Sequence, residues 1–388
     1  MTGAPLSPRV PAGGGGLDRD IRVMVVDDSA VIRGLITKQL ESDPDIRVVS
    51  SVGDGKMAVA ALARTTVDIV VLDVEMPVMD GLTALPLMLA AAPGVKIIMA
   101  STLTTRNADI SLRAMQAGAV DYVPKPTATR EIHGADEFRR DLIGKIKVWA
   151  RHRLRAVDGA GAAPHRSAVR EILPVAPAAG GSKIALRPMP GSFRPDVIAI
   201  GSSTGGPQAL FEVMTHLKAE AAPQPILLTQ HMPPTFTAIL AEHISRQCGV
   251  KAAEAKDGEA VVGGRCYIAP GDFHMTVEKQ GAGRIIRLDQ GPQENFCRPS
   301  VDPMMRSVVR AFGGRGVLAV ILTGMGQDGM RACRDVAAAD GVVVAQDEAT
   351  SVVWGMPGAV ASAGICNAVL PLKEVGPFVR QCARRSAA

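Results

Sequence analysis

Few side chains in this sequence are aromatic: only 3% of its 388 residues are Phe, Trp or Tyr. Proteins that bind single-stranded nucleic acids stack the bases on aromatic rings, so this shortage argues against that class of partner. The chain carries a net charge of +5, and residues 151–194 contribute eight basic but only two acidic side chains. Because the rest of the chain is close to neutral, no basic domain face is indicated and no nucleic-acid partner is predicted.

The sequence also lacks paired cysteines and long apolar runs. Its six cysteines are Cys248, Cys266, Cys297, Cys333, Cys366 and Cys382. None forms a C-x-x-C pair, which predicts scattered reduced thiols rather than a disulfide framework or a zinc site. No apolar run reaches the roughly 18 residues that span a membrane, and the N-terminus has no signal-peptide pattern. We expect a soluble, cytoplasmic protein without direct membrane insertion.

The length predicts two or three domains at roughly 150 residues per domain. A glycine run indicates a disordered tail over residues 1–20. Alternating strand-like and helix-like segments predict a first domain over residues 21–140. An Ala-, Gly- and Pro-rich stretch predicts the end of a helix and then a flexible basic linker over 141–194. The alternation returns in a second domain over 195–388.

Both domains are predicted to be α/β. In the first, Ser29 is suited to cap a helix over Ala30–Leu40. Five strands separated by helices predict a parallel sheet covered on both faces. The predicted strands are Ile21–Val26, Ile46–Val52, Ile69–Val74, Lys96–Ala100 and Tyr122–Val123. In the second domain, strand-like segments at Cys266–Ala269, Met275–Glu278 and Ile285–Leu288 predict an antiparallel insertion.

Polar side chains follow four strands of the first domain. Asp27 and Asp28 follow the first strand, Asp73 ends the third, Ser101 follows the fourth and Lys125 the fifth. The carboxyl ends of parallel strands meet at one edge, so these side chains should converge. Three carboxylates there suit a hard cation such as Mg²⁺, and Asp73 is then placed to accept a phosphoryl group.

Residues 21–140 resemble the receiver domain of response regulators, on the acidic pair, the run Leu72–Gly81, Ser101 and the Lys125-Pro126 step. The resemblance implies a flavodoxin-like fold and a histidine kinase as phosphodonor. It also implies residue roles, as follows. Asp73 is the phosphoacceptor, Asp28, Asp73 and the Glu75 carbonyl bind Mg²⁺, Asp27 supports them, Lys125 pairs with the phosphoryl group, and Ser101 and Tyr122 move on activation.

A serine in the second domain lies on a glycine-rich turn between a strand and a helix. Gly201-x-Ser203-x-Gly205 fits the pattern of a nucleophile elbow, and nearby helix amides can stabilise an oxyanion. A phosphate-binding glycine loop would have a similar sequence. His231 and Asp328 follow two further strands, so the three side chains can form a nucleophile, base and acid. The chain order differs from that of α/β-hydrolases, which place the acid before the histidine.

One motif leaves a nucleotide-binding alternative open. Gly324-x-Gly326-x-x-Gly329 matches the dinucleotide fingerprint, and Asp347 and Glu348 lie near the expected distance beyond it. However, the motif falls late in the domain rather than at its first strand–helix turn. A second alternative is a phosphorylation-switched binding module that has kept the fold without turnover.

The second domain resembles the catalytic domain of chemotaxis protein-glutamate methylesterases. The matching runs are 200–206, 229–237, 267–275, 322–329 and 345–347. In this family the serine directly precedes Thr-Gly-Gly, which selects Ser203 over Ser202. Gln327 departs from the family's usual Asn. The implied fold is a doubly wound α/β domain with an antiparallel insertion.

The second resemblance also implies a function. It predicts a phosphorylation-activated hydrolase that removes methyl esters from glutamates on chemoreceptor cytoplasmic domains, releasing methanol. Many members also deamidate receptor glutamines. We expect Ser203, His231 and Asp328 to form the triad, with the backbone N–H groups of Thr204 and Met325 binding the oxyanion. No cofactor is expected for ester hydrolysis, and the unphosphorylated receiver is expected to dock over the site.

Overall fold

The computed structural model describes residues 20–125, 133–159, 184–191 and 193–384. A first domain over residues 20–159 is built on one five-stranded sheet. Its strands are β1 (Ile21–Val26), β2 (Ile46–Val52), β3 (Ile69–Asp73), β4 (Lys96–Ser101) and β5 (Asp121–Pro124). Its helices are α1 (Ala30–Leu40), α2 (Gly55–Leu62), α3 (Gly81–Ala91), α4 (Thr105–Gln116) and α5 (His133–Gly159).

The first sheet has the order β2-β1-β3-β4-β5, and every pair is parallel. Helices cover both faces, so the central strands are apolar throughout, and every residue of β3 is buried. The Ser29 hydroxyl accepts a hydrogen bond from the N–H of Ile32 at the start of α1. The predicted parallel α/β fold of this domain is confirmed.

The second domain, over residues 193–384, contains nine strands and six α-helices among the described residues. Its strands are β6 (Val197–Ser202), β7 (Ile226–Gln230), β8 (Ala252–Glu254), β9 (Cys266–Ile268), β10 (His274–Gln280), β11 (Gly283–Asp289), β12 (Val317–Ile321), β13 (Val342–Gln346) and β14 (Ala368–Leu370). Its helices are α6 (Gly206–Met214), α7 (Phe236–Cys248), α8 (Val301–Phe312), α9 (Met330–Ala338), α10 (Met356–Ser362) and α11 (Leu372–Arg384).

Seven of these strands form a parallel sheet in the order β14-β13-β12-β6-β7-β9-β8. The chain builds outward from β6 through β7 on one side and through β12 on the other, so the strand order reverses between β6 and β12. Ligands of open α/β sheets bind at such reversal points. The antiparallel insertion is confirmed as the hairpin β10–β11. Cys266–Ala269, which the sequence grouped with it, instead extends the main sheet, because β9 pairs in parallel with β7.

The region between the domains differs from the predicted flexible linker at both of its ends. Helix α5 continues to Gly159, well into the segment 141–194 that the sequence assigned to a helix end and a flexible linker. At the other end, the chain around Pro188 packs on the second domain: Arg187 donates to the carbonyl of Cys366, and Asn367 donates to that of Pro188. The middle of the predicted linker, residues 160–183, and the predicted tail before Asp20 lie outside the described residues.

The two domains pack against each other through helices α4 and α7. The rings of Tyr122 and Phe236 are stacked, with centroids 4.3 Å apart and planes 13° apart. Beside them, Nε2 of the buried His243 lies 2.7 Å from Oδ1 of Asp109, and its Nδ1 lies 3.1 Å from Nε2 of Gln116. The interface therefore combines an aromatic stack with a buried polar contact. Within the described residues, no helix is long and apolar enough to cross a membrane.

The stacked ring pair predicts a measurable coupling between the domains. In a double-mutant cycle of Tyr122→Leu and Phe236→Leu in the full chain, we expect a coupling energy of about 0.5–1.5 kcal/mol in the free energy of unfolding, because both leucines keep apolar volume but lose ring stacking. Urea denaturation measures it. A control cycle that uses Phe211→Leu, whose ring does not stack on Tyr122, should be additive. Additivity in the first cycle would contradict the stacking interaction.

Candidate phosphorylation and esterase sites

The structure brings the predicted acidic residues of the first domain together. Carboxylate oxygens of Asp27, Asp28 and Asp73 all lie within 4.8 Å of one another. Nζ of Lys125 lies 2.5 Å from Oδ2 of Asp27 and 2.7 Å from Oδ1 of Asp73. The set offers only oxygen ligands and has more negative than positive charge, with Asp28 exposed to solvent. These donors fit a hard divalent cation that retains some of its waters.

Asp73 is positioned by the turn that follows β3. A Cβ atom placed on Gly81 would lie 2.1 Å from the Asp73 carbonyl oxygen, so glycine is required for this approach of α3. Burial raises the pKa of Asp73 to about 6, helped by the charge of Asp27 and opposed by Lys125 and the N–H of Val74. The lysine thus offsets part of the cost of burying this carboxylate.

The other predicted receiver residues surround this cluster. Ser101 is buried, and its hydroxyl lies 3.0 Å from that of Ser111 on α4. Tyr122 is also buried, with its ring facing the second domain. The Glu75 side chain is exposed and points to Arg106 and Asn107 rather than to the carboxylates, so its predicted ligand role depends on its backbone carbonyl alone.

In the second domain, Ser203 follows β6 directly and is half-buried. Its N–H donates to the carbonyl of Thr323, which ties it to the end of β12. The neighbouring Ser202 is fully buried, and its hydroxyl donates to Oε1 of Gln230 at 2.7 Å. Ser203 is therefore the more exposed residue of the pair.

His231 and Asp328 meet at the same edge of the sheet. Nε2 of His231 lies 2.7 Å from Oδ2 of Asp328. The His231 N–H donates to the carbonyl of Ser202, so the histidine and Ser203 lie on adjacent strand ends. The three predicted triad residues thus follow the neighbouring strands β6, β7 and β12, beside the point where the strand order reverses.

The Asp328 carboxylate is held at the N-terminus of α8. It accepts hydrogen bonds from the backbone N–H groups of Val301, Asp302 and Gly329 at 2.6, 3.1 and 2.9 Å. The hydroxyl of Ser300 and Nδ2 of Asn295 donate to it as well, at 2.8 and 2.7 Å. Asp328 thus replaces the side-chain cap that Ser300 would otherwise give the helix.

Glycines allow this approach because α8 lies very close to two strand ends. A Cβ atom on Gly201 would lie 2.7 Å from the Val301 side chain, and one on Gly329 would lie 2.9 Å from it. Gly329 also has a φ of +85°, a conformation that only glycine adopts readily. Gly324 is similarly confined, with a Cβ there only 2.9 Å from that of Ser203. Packing accounts for these glycines of the 324–329 motif without a nucleotide.

The surroundings of the acid and the base stabilise their charged forms. Burial acts to raise the pKa of Asp328, but the hydrogen bond and charge of His231, with the N–H of Val301 and the Ser300 hydroxyl, lower it to about 2. Burial acts to lower the pKa of His231, but Cys297 and Asp328 raise it to about 10. The Asp328 carboxylate therefore stabilises the imidazolium that forms when His231 takes up a proton.

The contacts of the nucleophile are incomplete. Sγ of Cys297 lies 3.3 Å from Nδ1 of His231, the nitrogen left after Nε2 binds Asp328. Within the described part of the chain, the Ser203 hydroxyl has no hydrogen-bond partner, and the N–H groups of Thr204 and Met325 have none either. Catalytic contacts often form only with substrate bound.

Helix α5 of the first domain lies beside the loops of this site. A Cβ atom on Gly144 would lie 3.1 Å from Cε of Met325. The guanidinium carbon of Arg140 lies 5.4 Å from the ring centre of Phe296. Met325 lies three residues before Asp328 and Phe296 lies next to Cys297, so the first domain contacts two loops of the site.

Sequence reasoning missed the residues that hold Asp328 and face His231. Asn295, Cys297 and Ser300 come from one loop before α8, with no strand end to mark them. The run Ser300-Val301-Asp302-Pro303 carries a helix-start pattern, which signals an anion-binding N-terminus. That signal could have found Ser300. Cys297 was grouped with the scattered thiols and had no sequence signal of its own.

The low pKa of Asp328 predicts a pH-dependent contribution to stability. Its folded pKa, about 2, lies below the ordinary value of 3.8, so the stabilisation is complete above about pH 4 and is lost as the pH falls towards 2. We expect Asp328→Asn to lower the free energy of unfolding by about 2 kcal/mol at pH 7. The deficit should shrink below pH 4 in urea titrations. The exposed Asp335 provides a control, Asp335→Asn, and a deficit that is constant with pH would refute this interpretation.

Comparisons with known proteins match both domains. Residues 23–135 match the response regulator receiver domain family, and residues 198–379 match the CheB methylesterase family. The catalytic domain of the Thermotoga maritima CheB methylesterase covers 48% of this chain and 98% of its own, at 37% identity and a TM-score of 0.46.

Two relatives extend over nearly the whole chain. The protein-glutamate methylesterase/protein-glutamine glutaminase of Azospirillum brasilense is 63% identical over 386 residues, covering 97% of this chain and 96% of its own. A protein of the same name from a group 2 operon of Rhodospirillum centenum is 58% identical over 398 residues and covers 100% of both chains. With a receiver domain joined to a methylesterase domain, this chain belongs to the protein-glutamate methylesterase/protein-glutamine glutaminase family.

Proposed function

We propose that this protein is a phosphorylation-controlled hydrolase that removes methyl groups from glutamate methyl esters on chemoreceptor cytoplasmic domains. Methanol is released and glutamate remains. The same site deamidates receptor glutamines, with ammonia as the leaving group. The observation that supports the proposal is that Ser203, His231 and Asp328 follow neighbouring strands of the second sheet, with His231 and Asp328 in contact. The names of full-length relatives supply the substrate class.

Ser203 is the nucleophile in this mechanism. Nδ1 of His231 accepts the serine proton as the hydroxyl oxygen attacks the ester carbonyl, because Nε2 is engaged by Asp328. The backbone N–H groups of Thr204 and Met325 bind the developing oxyanion, each worth about 3 kcal/mol of barrier. Protonated His231 then gives its proton to the departing methoxide. A water molecule, activated by the same base, releases the glutamate from Ser203.

The five hydrogen bonds to Asp328 beyond His231 keep the carboxylate ionised and in place. The acid therefore orients the imidazole without taking its proton. Ester hydrolysis at this site uses only these side chains and backbone groups.

The receiver domain regulates this site. Asp73 accepts a phosphoryl group from a histidine kinase, and Lys125 pairs with the phosphoryl oxygens. Asp28, Asp73 and the Glu75 carbonyl are the groups that would hold Mg²⁺, whose charge would neutralise the phosphoryl oxygens; the carboxylate cluster fits such an ion. Asp27 supports the cluster.

Closure of the site in the unphosphorylated protein depends on the docked receiver. Helix α5 contacts Met325, and Tyr122 stacks on Phe236, the first residue of the helix that follows the His231 loop. Phosphorylation acts through Ser101 and Tyr122 to weaken this docking, which frees the loops around Ser203 for a receptor helix.

The triad is tested by methanol release from methylated receptor membranes. Ser203→Ala should reduce the rate by at least about 10³-fold, because the nucleophile is lost. Ser202→Ala is the matched control. Its hydroxyl is buried against Gln230, so its loss should reduce the rate by no more than about tenfold. Equal rates for Ser203→Ala and wild type would refute the triad.

The switch is tested with a small phosphodonor and Mg²⁺. Addition should stimulate wild-type methanol release by roughly 5- to 150-fold, the usual range of coupling between two sites. In Asp73→Asn the ratio of stimulated to unstimulated rate should fall to about one, since the phosphoacceptor is absent. Asp80→Asn serves as the control, because Asp80 caps α3 outside the carboxylate cluster. Stimulation that persists in Asp73→Asn would exclude Asp73 as the control site.

A further inference from the structure

Cys297 lies against the base of the proposed triad. Its Sγ is 3.3 Å from Nδ1 of His231, while Nε2 of the same ring is 2.7 Å from Asp328. The sulfur therefore faces the nitrogen that must accept the proton of Ser203. The same nitrogen can accept the thiol proton, which leaves a thiolate, the reactive form of cysteine. Cysteine, histidine and aspartate thus form a second constellation that shares two members with the first.

The other thiols of the chain are shielded. All six cysteines lie in the described residues, and five are buried while Cys297 is partly exposed. Burial raises the pKa of Cys248 to about 11 and those of Cys266 and Cys366 to about 12. Thiols that stay protonated and buried react slowly with oxidants. A small oxidant in solution therefore meets one accessible thiol, and that thiol has a basic neighbour.

The loop that carries Cys297 holds the thiol in place. Backbone hydrogen bonds run both ways between Glu294 and Cys297, at 3.2 and 3.0 Å. The Glu294 carboxylate accepts hydrogen bonds from two guanidinium nitrogens of Arg306, at 2.6 and 2.7 Å. Between them, Asn295 and Phe296 have φ values of +55° and +62°, which non-glycine residues rarely adopt. The neighbouring loop residues thus fix the sulfur beside His231.

We propose that Cys297 is a site of reversible oxidation by peroxides, and that oxidation blocks proton transfer from Ser203 to His231. This inference rests on the triad of the proposed function. The thiolate sulfur attacks one oxygen of hydrogen peroxide, so that an S–O bond forms and the O–O bond breaks. Hydroxide leaves and takes the proton held on His231, giving water. The sulfur is oxidised by two electrons to a sulfenic acid, and the peroxide is reduced.

The added oxygen is bonded to the sulfur that faces Nδ1, so it competes with the Ser203 hydroxyl for that nitrogen. Recovery requires a low-molecular-weight thiol. The first thiol condenses with the sulfenic acid to give a mixed disulfide and water. A second thiol attacks the sulfur of the first thiol in this mixed disulfide, which restores the Cys297 thiol and releases a small disulfide.

The test uses the full chain with hydrogen peroxide and then dithiothreitol. Methanol release by wild type, Cys297→Ser and Cys248→Ser is compared with each protein's own untreated rate. In wild type and Cys248→Ser, the rate of methanol release should fall at least about tenfold on oxidation and return to the untreated rate on reduction. Cys297→Ser should stay within about twofold of its untreated rate, because serine oxygen does not react with peroxide. Equal sensitivity of Cys297→Ser and wild type would overturn the proposal.

A second readout does not depend on turnover. Peroxide-treated wild type and Ser203→Ala are trapped with dimedone, which reacts with sulfenic acids, and the adduct is located by peptide mass spectrometry. The adduct should lie on Cys297 in both proteins. An adduct confined to other cysteines, or no adduct in either protein, would overturn the oxidation site. Full methanol release by Ser203→Ala would instead reject the triad, so the two failures are distinguishable.

Discussion

The second domain depends on one carboxylate bound at a helix N-terminus. Asp328 follows β12 and accepts hydrogen bonds from the first N–H groups of α8, and its Oδ2, which binds the N–H of Val301, also lies 2.7 Å from Nε2 of His231. One residue therefore caps a helix, ties that helix to the sheet and positions the His231 ring. The N-terminus of α8 therefore has to stay close to the strand ends. The Val301 side chain packs closely on Gly201 and Gly329, which have no side chain in the way. A larger separation would move Asp328 away from His231.

The contacts between the domains also involve the segments next to His231 and Asp328. Tyr122, at the end of the receiver sheet, stacks on the first residue of α7, and α7 begins five residues after His231. Helix α5 contacts Met325 on the other side of the site. The receiver thus contacts the segments that follow β7 and β12, the strands that precede His231 and Asp328. Direct packing therefore joins the receiver to both segments.

The strands and their terminal side chains could be predicted from sequence, because parallel sheets place every strand's carboxyl end at one edge. That rule brought Asp27, Asp73 and Lys125 together in one domain and Ser203 and His231 in the other. Asn295 and Cys297 could not be predicted, since they belong to an irregular loop whose path depends on left-handed backbone and on Arg306. The length of α5 was missed because the segment after residue 150 has no sustained apolar period to mark a helix.

The docking surface of the receiver and its target lie on the same polypeptide. Their association is therefore unimolecular, and dilution of the protein does not separate them. A mixture of two free proteins would separate as its concentration fell, whereas two domains of one chain keep a fixed effective concentration. The fraction of molecules in which the domains are docked is consequently a property of the interface around Tyr122, Phe236 and His243.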